Sequence, residues 1–167
     1  MELSKQERLI LSNQYRILEQ LYPKDAKTLK EHRKIVEDGY ALSYEEISTH
    51  IVDELNKEEC TEVLDILSMH RALHQSAQAL TDEPKIAISF HGFDGNSETQ
   101  QMAYTKFYID ELHKFAELTE IAQSTDYNSH YPTLRRYRLM LYEWKGCKNI
   151  NNLSREDINR ILDVRVE

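Results

Sequence analysis

Apolar positions recur along this chain at helical intervals, and short polar signals mark where each run begins and ends. Leu11, Tyr15, Leu18 and Tyr22 follow i, i+4, i+7, i+11 spacing, the signature of one buried helix face. Leu29, Val36 and Tyr40 continue the period on a second run, and Val63, Ile66, Leu67, His70, His74 and Ala77 make a long stripe. Tyr104, Phe107, Tyr108, Leu112 and Phe115 form another, and Leu134, Tyr137, Leu141 and Trp144 a further one. Starts are marked by Ser4–Glu7, Ser43–Glu46, Asn56–Glu59, Ser97–Gln100 and Ser154–Asp157. In each, a short oxygen side chain can accept a free backbone N–H while the acid or amide three residues on reaches back. Pro23, Gly39, Pro84 and Gly146 fall where helices should stop. The pattern predicts an all-α fold of about seven amphipathic helices in an orthogonal or bundle-like arrangement. They are expected near 3–22, 24–38, 43–55, 57–81, 97–124, 133–145 and 155–163.

One segment departs from the rule. "KIAISF" after Pro84 alternates Ile86, Ile88 and Phe90 with Ala87 and Ser89, which is strand period, so a short β-segment is expected near 86–90. A strand needs a partner for its backbone groups, and "DVRVE" at the C-terminus is the only other alternating stretch. The two pair, or the segment is an extended connector, or it pairs across a dimer. There are no repeats or low-complexity tracts, so one domain is expected over 1–167, with an N-terminal half 1–81, a seam 82–96 and a C-terminal half 97–167.

Composition narrows the class. With 167 residues, 40% hydrophobic and 30% charged, the chain is long enough for a core without metal or disulfide staples. Its longest apolar runs are far too short to span a bilayer, and "MELSKQERLIL" lacks the layout of a secretory signal. Cys60 and Cys147 show neither a CxxC nor a zinc-type spacing and read as free, inert thiols of a cytoplasmic protein. The net charge of −8 is unevenly spread. Ten acids stand against Lys57 between Glu37 and Asp65, while Arg135, Arg136, Arg138, Lys145 and Lys148 stand against Glu143 between Pro132 and Lys148. These patches are solvated helix faces, or they attract each other within a chain or between subunits.

"RLILSNQY" (Arg8–Tyr15), "ALH" (Ala72–His74), "GFD" (Gly92–Asp94), the Trp144–Cys147 spacing and "LSREDINRI" (Leu153–Ile161) resemble the YfbU family of uncharacterised bacterial proteins, almost end to end. The resemblance implies a bacterial, cytoplasmic, essentially helical protein and supplies no catalytic residues. In some relatives the module looks to be fused to a helix-turn-helix domain, which suggests ligand sensing.

The stretch "ISFHGFDGNSETQQ" (Ile88–Gln101) is where the chain looks most able to hold something. Its oxygens alternate like those of a calcium loop, but Thr99 and Thr105 stand where the turn glycine and the bidentate glutamate belong. A phosphate cradle fails too, because no lysine follows and Asp94 and Glu98 would repel an anion. The plain reading is a glycine-permitted turn that caps a helix and buries Phe90 and Phe93. As an edge of a ligand pocket, the candidate residues are His74, His91, Gly92, Phe93 and Asp94. His70 and His74, four apart on a helix, are weak metal candidates, because Arg71 stands where a zinc protease has its glutamate. Semi-buried histidines satisfied by local acceptors are the expected outcome, with no metal and no cofactor.

No GxSxG, Cys–His or Walker-type motif is present. The outline of a helix-turn-helix can be drawn over 42–74, but its would-be reading helix carries Glu58, Glu59, Glu62 and Asp65 toward phosphate, which argues against nucleic acid through residues 57–70. Ten tyrosines sit on the helix stripes, and Tyr15, Tyr104, Tyr108 and Trp144 are the candidate interface residues of a homo-oligomer, expected to be a dimer. The leading expectation is a non-catalytic ligand-binding or protein-interaction module. Two alternatives stand beside it: a regulatory domain working with a helix-turn-helix partner, and a hydrolase or metal enzyme using His74 and Asp94.

Overall fold

The computed structural model describes residues 2–80 and 88–166. Contacts divide the chain into two compact units, Met1–Glu54 and Leu55–Glu167.

The first unit is a helical hairpin followed by turns. Helix α1 (Lys5–Leu21) opens on a complete capping box, in which Ser4 accepts from the Glu7 N–H and Glu7 accepts from the Ser4 N–H. Helix α2 (Ala26–Asp38) ends on Gly39 in the left-handed region, φ 79°, with its N–H closing on the Ile35 carbonyl. Arg8 binds this end of α2, its guanidinium donating to the Val36 and Glu37 carbonyls at 2.6 and 2.7 Å. The helix expected at 43–55 is not an α-helix: two three-residue 3-10 turns, Ala41–Ser43 and Glu46–Ser48, stand there, and 51–56 is irregular. Ile47 is buried while its neighbours Glu45 and Glu46 face water, so each short turn has one side chain or none to bury and nothing to extend it. Among the described residues of this unit the buried hydrophobics are Val36, Tyr44 and Ile47, with Leu3, Leu11, Tyr15 and Ile35 packed partly against them.

The second unit is built on α3 (Lys57–Ala79), again started by a full capping box, Asn56 with Glu59. Val63, Ile66, Leu67, Met69 and Leu73 are wholly inaccessible, and each such side chain contributes about 1.5–3 kcal/mol by leaving water. Against it pack α4 (Thr99–Lys106), the 3-10 turn Ala116–Leu118 that leads into the short α5 (Thr119–Ala122), α6 (Leu134–Lys145) and α7 (Arg155–Leu162). Tyr137, Met140, Leu141 and Trp144 are the buried face of α6, and Ile158 and Ile161 that of α7, whose start is the Ser154–Asp157 capping box.

The helix expected over 97–124 is broken. It starts at Thr99, widens into a π-turn at Phe107–Glu111 and stops. The Lys114 N–H then reaches back to the Tyr108 carbonyl at 3.0 Å, which sets His113 in the left-handed region. This reversal turns Phe115 and Leu118 into the core beside α3. Of the expected β-segment, residues 85–87 lie outside the described residues and Ile88–Phe90 belong to no strand. Among the described residues the β-pairing is one isolated parallel bridge, Phe93 with Asn128.

The acidic and basic patches do meet within the second unit. Arg138 of α6 binds both carboxylate oxygens of Glu62 on α3, at 2.7 and 2.9 Å, and Lys145 binds Asp65 one turn on.

Candidate functional site

The segment 91–98 crosses 127–134, and the crossing is built from hydrogen bonds. Gly92 has φ 87°, and a side chain there would collide with the Tyr127 carbonyl, so only glycine lets the two segments approach this closely. Phe93 exchanges two bonds across the gap: its N–H donates to the Tyr127 carbonyl at 2.9 Å and its carbonyl accepts from Ser129 at 3.0 Å. Asn128 supplies one oxygen to two backbone donors, Gly95 and His130. On the far side, Asp126, Tyr127 and His130 all hold positive φ, and the Tyr127 hydroxyl donates to Asp110 at 2.6 Å.

Two carboxylates organise the crossing. Asp94 is 4% exposed and accepts from the Ser97 N–H, the Ser97 hydroxyl at 2.6 Å and the Asn96 amide, which hold its carboxyl below the usual range. Ser97 is therefore consumed by Asp94, and the cap of α4 moves to Glu98. Glu98, 6% exposed, collects the backbone N–H groups of Asp94, Thr133 and Leu134 and the Thr133 hydroxyl, all between 2.8 and 3.1 Å. Thr133 and Leu134 are the start of α6, so Glu98 satisfies donors that the helix leaves free and sits at the positive end of its dipole. Sequence spacing missed Glu98, whose partners on α6 lie 35 and 36 residues away.

Beneath the crossing lies an aromatic cluster. His70, Phe90, Phe93 and Tyr137 have ring centroids 5.1–5.9 Å apart, mostly edge to face. The Tyr137 hydroxyl donates to the Gly92 carbonyl at 3.1 Å, and burial pushes its acidity down. His70 is 2% exposed, and its Nδ1 faces the Ile88 carbonyl at 3.3 Å. Burial holds this imidazole neutral, with its pKa lowered to about 4, and His91 and Arg136 add to the effect. Its Nε2 is buried and has no hydrogen-bond partner among the described residues.

The structure thus draws together His91, Gly92, Phe93 and Asp94 but uses most of them internally. Phe93 is core, Gly92 is a close crossing and Asp94 is a turn brace; His91 is half-buried, and its backbone N–H makes a long bond to the Tyr137 hydroxyl. His74 belongs to another neighbourhood, bonded to Gln78 at 2.9 Å and near Glu117, which is also gripped by Arg71. Among the described residues no three His, Cys, Asp or Glu side chains converge as a metal site. Of the four interface candidates, Trp144 turns inward: it is 4% exposed and its indole donates to the Ile150 carbonyl at 2.8 Å. Tyr15, Tyr104 and Tyr108 are half-buried. The large exposed apolar side chains are elsewhere, with Leu9, Ile10, Ile17, Leu21 and Tyr22 on or beside α1.

A family model for the YfbU domain matches residues 1–164. The chain belongs to the YfbU family. One relative is the UPF0304 protein MJECS11 of Methanocaldococcus jannaschii, 42% identical over 169 residues, which cover 97% of this chain and 99% of that protein. Among the described residues no helix is long and apolar enough to cross a membrane.

Proposed function

We propose that this YfbU-family chain works by binding other molecules, first of all another copy of itself, and not by catalysis. The supporting observation is how its side chains are spent. Asp94, Glu98, Asp110, Tyr127 and Tyr137, which carry the chemistry near the candidate loop, are bonded to the protein's own backbone and hydroxyls. His74 and Asp94, the pair an enzyme would need, are each bonded elsewhere, to Gln78 and Ser97 respectively. Apolar side chains meanwhile stand outward on α1, in a cluster rather than singly. Multi-angle light scattering on untagged protein at micromolar concentration tests the reading. The expected mass is near twice the 19.8 kDa of one chain, and one chain's mass at every concentration would refute self-association.

A small ligand at the 91–94 edge is the second reading, supported by the half-buried His91 ring next to a buried His70 whose Nε2 has no partner among the described residues. A regulatory domain beside a DNA-binding partner would use the same edge. On this chain α3 is not suited to be the reader, since Glu62 and Asp65 are committed to α6 and Glu58 and Glu59 crowd its first turn. Thermal-shift screening of small metabolites checks the ligand: at about 100 times its Kd it adds ~2.7 kcal/mol, a shift of several degrees that His91→Ala should abolish.

A further inference from the structure

We infer that the self-association proposed above, on which this step rests, runs through α1, whose outward stripe Ile10, Ile17 and Leu21 packs antiparallel on the same stripe of a second copy. Helix α1 is apolar on two faces. Toward α2 it presents Leu11, Ser12, Tyr15 and Leu18, with Ser12 buried, the others half-buried, and Tyr15 edge-on to His32. On the other side Ile10, Ile17 and Leu21, spaced by seven and four, are 57, 59 and 65% exposed. A helix apolar on both sides is normally covered on both. The first unit cannot supply the second cover from its own core, which holds three fully buried hydrophobics.

Charge identifies the occupant. The positions flanking the stripe are Gln6, Glu7, Asn13, Gln14 and Gln20, a polar rim with one charged residue in a chain that is 30% charged. Interface centres are depleted of charge in the same way. From Met1 to Tyr40 eight Lys and Arg stand against seven Asp and Glu, while the whole chain has 21 against 29. Two copies that meet through these hairpins escape the repulsion that two acidic bodies would feel elsewhere. A rim with a single charge offers a strongly charged partner little handle, whereas an identical rim matches it. With Ile10 level with Leu21 of the second copy, the two-fold axis falls between Gln14 and Ile17, and Glu7 comes level with Lys24 of that copy. The contact is isologous and closes at two.

Sedimentation velocity over a wide concentration range tests this with wild type, Ile17→Lys, Gln14→Lys and, as control, Tyr142→Lys, whose side chain is exposed on the second unit. Because Ile17 and Gln14 are exposed within the chain, both variants should keep the wild-type helical circular dichroism. The expected result is a wild-type dimer whose dissociation midpoint moves at least tenfold higher in Ile17→Lys and Gln14→Lys and stays in place in Tyr142→Lys. Gln14→Lys should recover partly in salt, because two like charges then face each other across the axis. A dimer indifferent to both α1 variants overturns the α1 interface and leaves self-association standing on another face. A wild-type monomer at every concentration overturns both, as does Ile17→Lys unfolding a monomer, which would mean that one chain covers its own stripe.

Discussion

Lowering the pH from 7.5 to 5 should destabilise the second unit by about 2 kcal/mol through His70 alone. The imidazole is 2% exposed, wedged edge-on between Phe90 and Tyr137, and the positive charge of Arg136 and the neighbouring His91 further disfavour its protonation. Its folded pKa is about 4 against an ordinary 6.5. Between those values the unfolded chain binds a proton that the folded chain refuses, so stability is full above pH 6.5, falls as pH drops toward 4 and is level below that. At pH 5 the unfolded imidazole is nearly all protonated and the folded one nearly all neutral, which gives the ~2 kcal/mol, a thirtyfold change in the folding equilibrium. Carboxylates held below their usual range, such as Asp94, Glu117 and Asp157, lose their contribution mainly at more acid pH, and comparison with a His70 variant separates this histidine from the six others. Urea unfolding followed by Trp144, the single tryptophan and a core residue of the same unit, reads the effect. In His70→Asn, whose amide can still donate to the Ile88 carbonyl, the variant is less stable at pH 7.5 but the gap to wild type should close by about 2 kcal/mol at pH 5. An unchanged gap would show that His70 accepts a proton in the folded protein and that its burial is not what sets its charge.

Three further outcomes follow from the same geometry. Gly92→Ala forces a Cβ onto the Tyr127 carbonyl at φ 87° and should cost at least about 2 kcal/mol, with a lower thermal midpoint and loss of amide-exchange protection at Phe93 and Ser129. Glu98→Ala strips acceptors from three backbone donors and the Thr133 hydroxyl, and should cost about 1–3 kcal/mol in denaturant while fraying the first turn of α6 in hydrogen exchange; a cost under ~0.5 kcal/mol would mean water replaces the carboxylate freely. Arg138→Ala should change stability by less than about 1 kcal/mol, because its bond to Glu62 is more than half exposed on the arginine side, and the loss should shrink in salt.

What the sequence alone determined is the part of this protein that closes within a few residues. The capping boxes at Ser4, Asn56 and Ser154 are where spacing placed them, since donor and acceptor lie three residues apart and need nothing else. The buried stripes of α3 and α6 were legible for the same local reason: helical period puts Ile66, Leu67 and His70, or Tyr137, Leu141 and Trp144, on one side whatever they meet. Tertiary structure decided the rest. Ser97 has the look of a cap, yet Asp94 takes both its donors and Glu98 replaces it. The "GFD" stretch read as a pocket edge, but its meaning depends on Tyr127, Asn128 and Thr133, which no local spacing could bring to it. The acidic and basic runs were visible as composition, and only folding joined Glu62 to Arg138, 76 residues apart. The period that announces α1 could not say that its second face, Ile10, Ile17 and Leu21, is left bare, because exposure is a property of what the rest of the chain covers.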